Sequence, residues 1–161
     1  MLKKQDRTLR ILGLEVIRMV LNIFKHRLPQ NIQSEVLKNI SPLIKDEDLQ
    51  LAQLALDLCI AIMNIPTTNS SQYNEVITNC VLLSKSSMVR GNVLEKLKEL
   101  FTLIAVSDII DTPSILERLM ADINKASLVP TSSCATAVLS KIRSVINPYF
   151  PKFIDNVYIL N

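Results

Sequence analysis

The chain has 161 residues, 48% of them hydrophobic and 20% charged, with a net charge of +3. This balance excludes the signature of disorder and supplies ample apolar material for a core. Two glycines, no tryptophan and 4% aromatic residues exclude a hairpin-rich sheet, while three widely spaced cysteines (Cys59, Cys80 and Cys134) in apolar stretches argue against a disulfide framework and fit a reducing cytoplasm or nucleus.

The first predicted helix runs from about Asp6 to His26, with Leu9, Leu12, Val16, Met19, Val20 and Ile23 at three- and four-residue spacing on one face. Its basic start, Lys3, Lys4, Arg7 and Arg10, resembles a targeting segment, but Glu15 and Arg18 interrupt the apolar run and no small-residue cleavage site follows. Pro29 ends this helix, and Asn31 is placed to cap a second that buries Ile32, Val36, Leu37 and Ile40. Pro42 closes it, and Asp46-Glu47-Asp48 reads as the next helix start, where carboxylates accept unpaired amide protons and oppose the positive end of the dipole.

A strongly apolar helix follows from Asp48 to Asn64, then a break over Pro66 to Ser70 and a partner helix carrying Val76, Ile77, Cys80, Val81 and Leu83. A further helix begins at Met88-Val89-Arg90-Gly91 and carries Val93, Leu94, Leu97, Leu100, Phe101 and Ile104. Thr112-Pro113 opens its partner, with Ile115, Leu116, Leu119 and Ile123 as a buried stripe. After Pro130 another helix carries Ala135, Val138, Leu139, Ile142 and Val145, and Pro148 and Pro151 bracket a corner before Phe153 to Leu160. Nowhere does an apolar run approach the ~18 residues that a membrane span needs.

One internal echo organises these elements. Residues Asp6 to Ile23 recur 42 positions later as Asp48 to Ile65, with matched pairs Asp6/Asp48, Leu9/Leu51, Leu12/Leu54, Gly13/Ala55, Leu14/Leu56, Glu15/Asp57, Asn22/Asn64 and Ile23/Ile65. A helical period near ~40 residues is the signature of HEAT or armadillo repeats. The expected fold is therefore all-α, a HEAT/armadillo-like solenoid of about three and a half to four helix pairs, in one domain with units of about 1–45, 46–87, 88–127 and 128–161. Neither end shows a polar capping helix, which points to a piece of a longer array or a chain completed by a partner, and leaves self-association through the ends open.

Catalysis has little material. His26 is the single histidine and sits in the basic run Lys25-His26-Arg27 at a helix end, so multi-histidine metal sites are excluded and a dipole-facing cation is the simpler reading. Asp46, Glu47 and Asp48 match no calcium loop. Gly13 and Gly91, isolated inside helical patterns, build no phosphate cradle and are read as close-packing positions. No cofactor and no metal are expected, and a cysteine hydrolase or transferase using Cys59, Cys80 or Cys134 is the remaining enzyme class. Residues 1–30 hold seven cations, Lys3, Lys4, Arg7, Arg10, Arg18, Lys25 and Arg27, against Asp6 and Glu15. A solvated face is the ordinary meaning of such a cluster, and if it binds, an acidic protein groove is preferred to nucleic acid.

The stretch Leu2-Lys3-Lys4-Gln5-Asp6-Arg7-Thr8-Leu9-Arg10 with Gly13-Leu14-Glu15, then Ser41-Pro42-Leu43-Ile44, Asp48-Leu49, Gln53-Leu54-Ala55-Leu56, Val89 to Leu94 and Leu100-Phe101, resembles interior repeats of the cullin-associated, neddylation-dissociated protein family. The likeness covers roughly residues 2–126 and falls mainly on core positions. It implies a non-enzymatic HEAT scaffold, acting in the cytoplasm or nucleus, that binds a cullin with its RING subunit. It further implies regulation of ubiquitin-ligase assembly, including SCF complexes, by steric exclusion and substrate-receptor exchange. The alternative is a HEAT fragment of a nuclear-transport receptor or vesicle-coat adaptor. Lys3, Lys4, Arg7 and Arg10 are the candidate protein-binding residues.

Overall fold

Asp48 decides where the most deeply buried helix begins. Its backbone is extended and its carboxylate accepts from the amides of Gln50 at 3.1 Å and Leu51 at 3.2 Å, which satisfies two of the four unpaired donors of a helix start. Helix α3 then runs Leu49–Met63 and ends at Asn64, whose amide returns to the Ile60 carbonyl. Sequence and structure agree here to within a residue, because both ends carry local punctuation.

The computed structural model describes residues 7–24, 28–65 and 70–107. Among them are five α-helices and no strand: α1 Arg7–Ile23, α2 Gln30–Ile40, α3, α4 Asn74–Lys85 and α5 Asn92–Ser107, with short 3-10 turns at Ser41–Leu43 and Ser70–Tyr73. The expectations for Thr112-Pro113, for the helix after Pro130 and for Phe153 to Leu160 lie outside the described residues, as do His26 and Cys134. No described helix is long and apolar enough to cross a membrane.

The chain forms two compact units, Met1–Leu83 and Ser84–Asn161. In the first, α3 is the hub: α1 packs along it, while α2 meets it together with both 3-10 turns. Nine of the fifteen α3 residues are buried, among them Leu51, Ala55, Leu56, Cys59 and Ile62, and each large aliphatic side chain so buried contributes about 1.5–3 kcal/mol. Arg7 at the start of α1 donates to Asp48 and Gln50 at the start of α3, so the two packed helices run in the same direction. Farther along, Asn79 of α4 donates to the carbonyl (2.9 Å) and hydroxyl (3.0 Å) of buried Ser41, tying α4 to the Pro42 turn, where the same carbonyl also accepts from the Ile44 amide at 3.1 Å. The partner-helix residues Val76, Ile77, Cys80, Val81 and Leu83 are all buried, as expected.

In the second unit, α5 buries Val93, Leu97, Leu100, Phe101 and Ile104, also as expected, with Leu94 half-buried. Gly91 does not lie inside this helix. It sits one residue before it at φ +57°, the left-handed region, and its carbonyl accepts from the Glu95 amide to open the first turn. It is a turn glycine rather than a close-packing one, since only a residue without a Cβ adopts that conformation without strain.

Four expectations for the first unit change. Helix α1 stops at Ile23, six residues short of Pro29. Pro29 instead stands at the N-cap of α2, and Ile32 and Gln33 both donate their amides to its carbonyl, so Asn31 does not cap that helix. On α2, Ile32 is 45% exposed and Gln33 is buried in its place, its side-chain amide donating to the Leu28 carbonyl at 2.9 Å. Gly13 meets nothing within 4 Å of where a Cβ would stand, so no helix closes on it.

Candidate protein-docking face on helix α1

Helix α1 is apolar around most of its circumference, and α3 covers only one side. Leu14 and Leu21, seven residues apart, are the two α1 side chains that reach the core. The predicted apolar face lies elsewhere: Leu9 is 52% exposed, Leu12 55%, Val16 58%, Met19 60% and Ile23 74%, with Val20 and Phe24 exposed beside them. Sequence reasoning found this stripe but omitted Leu14 and Leu21, although Leu14 was already visible in the echo as the mate of the deeply buried Leu56. The spacing of Leu9, Leu12, Val16, Met19 and Ile23 alternates three and four, the seam that packs against another helix. At 1.5 Å per residue it extends about 21 Å. Contiguous apolar surface of that kind is the sort that protein partners cover.

Beside the stripe, α1 and α2 diverge and leave a groove of about 280 Å³. Gly13, Leu14 and Ile17 line one wall, and Val36, Asn39 and Ile40 the other. A Cβ at Gly13 would meet nothing within 4 Å, so the groove is open over that position. Arg10 and Glu35 also line it: the Glu35 carboxylate accepts from Asn39 at 3.1 Å, whereas the Arg10 Nε is buried without a hydrogen-bond partner, which leaves a cationic donor unsatisfied at a mostly apolar cleft.

Of the four sequence-predicted binding residues, Arg7 and Arg10 fall on α1, whereas Lys3 and Lys4 lie outside the described residues. Arg7 is bound within the chain: its Nε and one terminal nitrogen meet the Asp48 carboxylate, and that nitrogen also donates to Gln50 at 2.8 Å. This hydrogen bond raises the Arg7 pKa and lowers that of Asp48, outweighing the smaller, opposing effect of burial on the carboxyl. Arg18 pairs with Glu15 one turn back at 2.6 Å. The structure thus brings Arg10 to the groove and places Arg7 at the α1–α3 junction.

The two described cysteines lie in the interior. Cys59 and Cys80 are fully buried, and burial pushes both thiols well above the ordinary value, away from the thiolate that a nucleophile requires. Burial likewise raises the Tyr73 hydroxyl. No group of three or more histidine, cysteine, aspartate or glutamate residues able to hold a metal occurs among the described residues.

Fold and site together define a chain whose described residues form helices and no strand, and which displays an apolar helix face beside a small groove. Over 125 residues, 76% of its length, the chain is 25% identical to a Drosophila melanogaster protein, the Cullin-associated NEDD8-dissociated protein 1. It spans about a tenth of the length of that relative. No protein-family model matches the chain, and no solved structure matches it.

Proposed function

We propose that this protein is a non-catalytic HEAT-type scaffold that binds a cullin together with its RING subunit. The similarity to a cullin-associated protein carries the reading, and the exposed α1 face supports it by supplying a surface of the kind protein partners bury. In this reading the repeat units follow 1–45, 46–87, 88–127 and 128–161, and the chain acts in the cytoplasm or nucleus. Its mechanism is steric: a helical stack covering the cullin–RING surface excludes attachment of the ubiquitin-like modifier and favours exchange of substrate receptors in ubiquitin-ligase assembly. Affinity concentrates in a few buried apolar anchors, with Lys3, Lys4, Arg7 and Arg10 contributing at the rim.

The test is retention on the immobilised full chain of unmodified cullin–RING against the same complex carrying the modifier. The unmodified complex is expected to be held and the modified one to pass through. Equal retention, or retention of neither, overturns the cullin assignment.

A further inference from the structure

We infer that the outer face of α1 and the adjoining α1–α2 groove form one docking seat, and that its occupant is an acidic amphipathic helix of a partner protein. The inference deepens the scaffold reading, since it rests on the chain being a protein binder, but it does not depend on cullin being the partner.

The echo identifies what kind of element the face accepts. Shifted by 42 residues, Leu9, Leu12, Val16, Met19, Val20 and Ile23 become Leu51, Leu54, Leu58, Ala61, Ile62 and Ile65 of the α3 segment. There Leu51, Leu58, Ile62 and Ile65 are buried, Leu54 and Ala61 are half-buried, and α1 is the helix packed along α3. The same pattern that is covered on α3 is bare on α1. The α1 stripe is therefore a receiving face for a helix, and by the α1–α3 precedent that helix runs parallel to α1.

Charge selects the occupant's flanks. Residues 1–30 hold seven cations against two carboxylates; within the described part of that stretch Arg7 and Arg18 already have partners, and at the groove the Glu35 carboxylate is engaged by Asn39 whereas the Arg10 Nε has no partner. A partner carboxylate reaching Arg10 satisfies a buried cationic donor, and charge-assisted bonds of that sort are the stronger ones. The groove over Gly13 is large enough for one aliphatic or aromatic side chain, an anchor next to the seam. A second copy of the chain is the poorer occupant, because two α1 faces brought together place equal basic flanks side by side.

The probe is a display library of helical peptides. Five positions at heptad spacing are drawn from leucine, isoleucine, methionine and phenylalanine, and the flanking positions from glutamate, glutamine and lysine. Selection on the full chain is expected to enrich glutamate over lysine at the flanks at least tenfold. A peptide from that pool, followed by fluorescence anisotropy, should bind at least tenfold more weakly to Met19→Glu, which breaks the stripe, and to Gly13→Leu, which fills the groove. Both positions face open space, so circular dichroism should show both variants folded. Arg10→Gln should erase the preference for glutamate while leaving apolar binding. Equal enrichment of glutamate and lysine, no enrichment at all, or insensitivity to Met19→Glu and Gly13→Leu overturns the inference. So does a dimer of the chain alone, in sedimentation equilibrium, that Met19→Glu dissolves. A chain that selects acidic helices but ignores cullin–RING refutes the cullin assignment alone. One that holds cullin–RING but selects no helix refutes the docking seat alone.

Discussion

At the scale of single residues, Asp48 carries two duties that substitutions can separate. It caps α3 through the Gln50 and Leu51 amides and it anchors Arg7 of α1. Asp48→Ala removes both and is expected to cost about 0.5–2 kcal/mol, mostly from the cap, because exposed ion pairs contribute little. Asp48→Asn keeps a capping oxygen and loses only the charge, so its melting temperature at neutral pH should lie well above that of Asp48→Ala. The pH dependence follows from the direction of the shift. Arg7 holds the folded carboxyl below the ordinary 3.8, so protons bind the unfolded chain more readily. That share of stability is complete above the ordinary value and is lost as pH falls through the lowered one. Melting curves of the wild type and Asp48→Asn should therefore converge toward the acid end of a titration, and a constant gap would show that the charge is not coupled to folding. The thiols give a second residue-scale test. With Cys134→Ser removing the one cysteine outside the described residues, Cys59 and Cys80 should react with a disulfide reagent only at the rate of unfolding. Fast labelling of the native protein would revive the nucleophile reading that burial argues against.

At the scale of elements, the two glycines make opposite predictions although sequence pattern treats them alike. Gly13 lies inside α1 with open space where a Cβ would stand, so Gly13→Ala should stabilise the chain by roughly 0.5–1 kcal/mol through helix propensity. Gly91 holds φ +57° ahead of α5, so Gly91→Ala should destabilise by about 1–2 kcal/mol, and Gly91→Asn by less. Denaturant midpoints of the three variants check the signs, and a loss from Gly13→Ala would mean that a helix does approach there. The same contrast explains what the sequence made legible. The ends of α3 could be read because Asp48 and Asn64 are local signals that act on neighbouring amides. The buried face of α5 could be read because only one side of that helix is apolar. The buried side of α1 could not, since leucines occur on two sides of it, and periodicity locates stripes without saying which of them meets the core. The α1 stripe was therefore visible as residues, while its exposure, the groove and the unpartnered Arg10 Nε depend on how α1, α2 and α3 pack.

At the scale of the molecule, the division at Leu83/Ser84 bears on how the chain comes apart. Compact units with their own buried side chains open locally with their own free energies, so damage to one unit need not be felt equally everywhere. Leu56 is fully buried in the hub helix of the first unit, and Leu56→Ala should cost about 2–5 kcal/mol there. Two compact units make partial independence the expectation. Hydrogen exchange of the Leu56→Ala protein should then rise in α1, α3 and α4, including the amides around Asn79, which Ser41 ties to the first unit. Exchange in α5, whose buried Leu97, Leu100 and Phe101 belong to the second unit, should stay closer to wild type. The measurement discriminates because cooperative folding of a single body raises exchange in all helices together. An equal rise in α3 and α5 would thus mean that the boundary at Leu83 divides contacts but not stability. A rise confined to the first unit would mean that α1, with its exposed face, can loosen or be bound without disturbing α5.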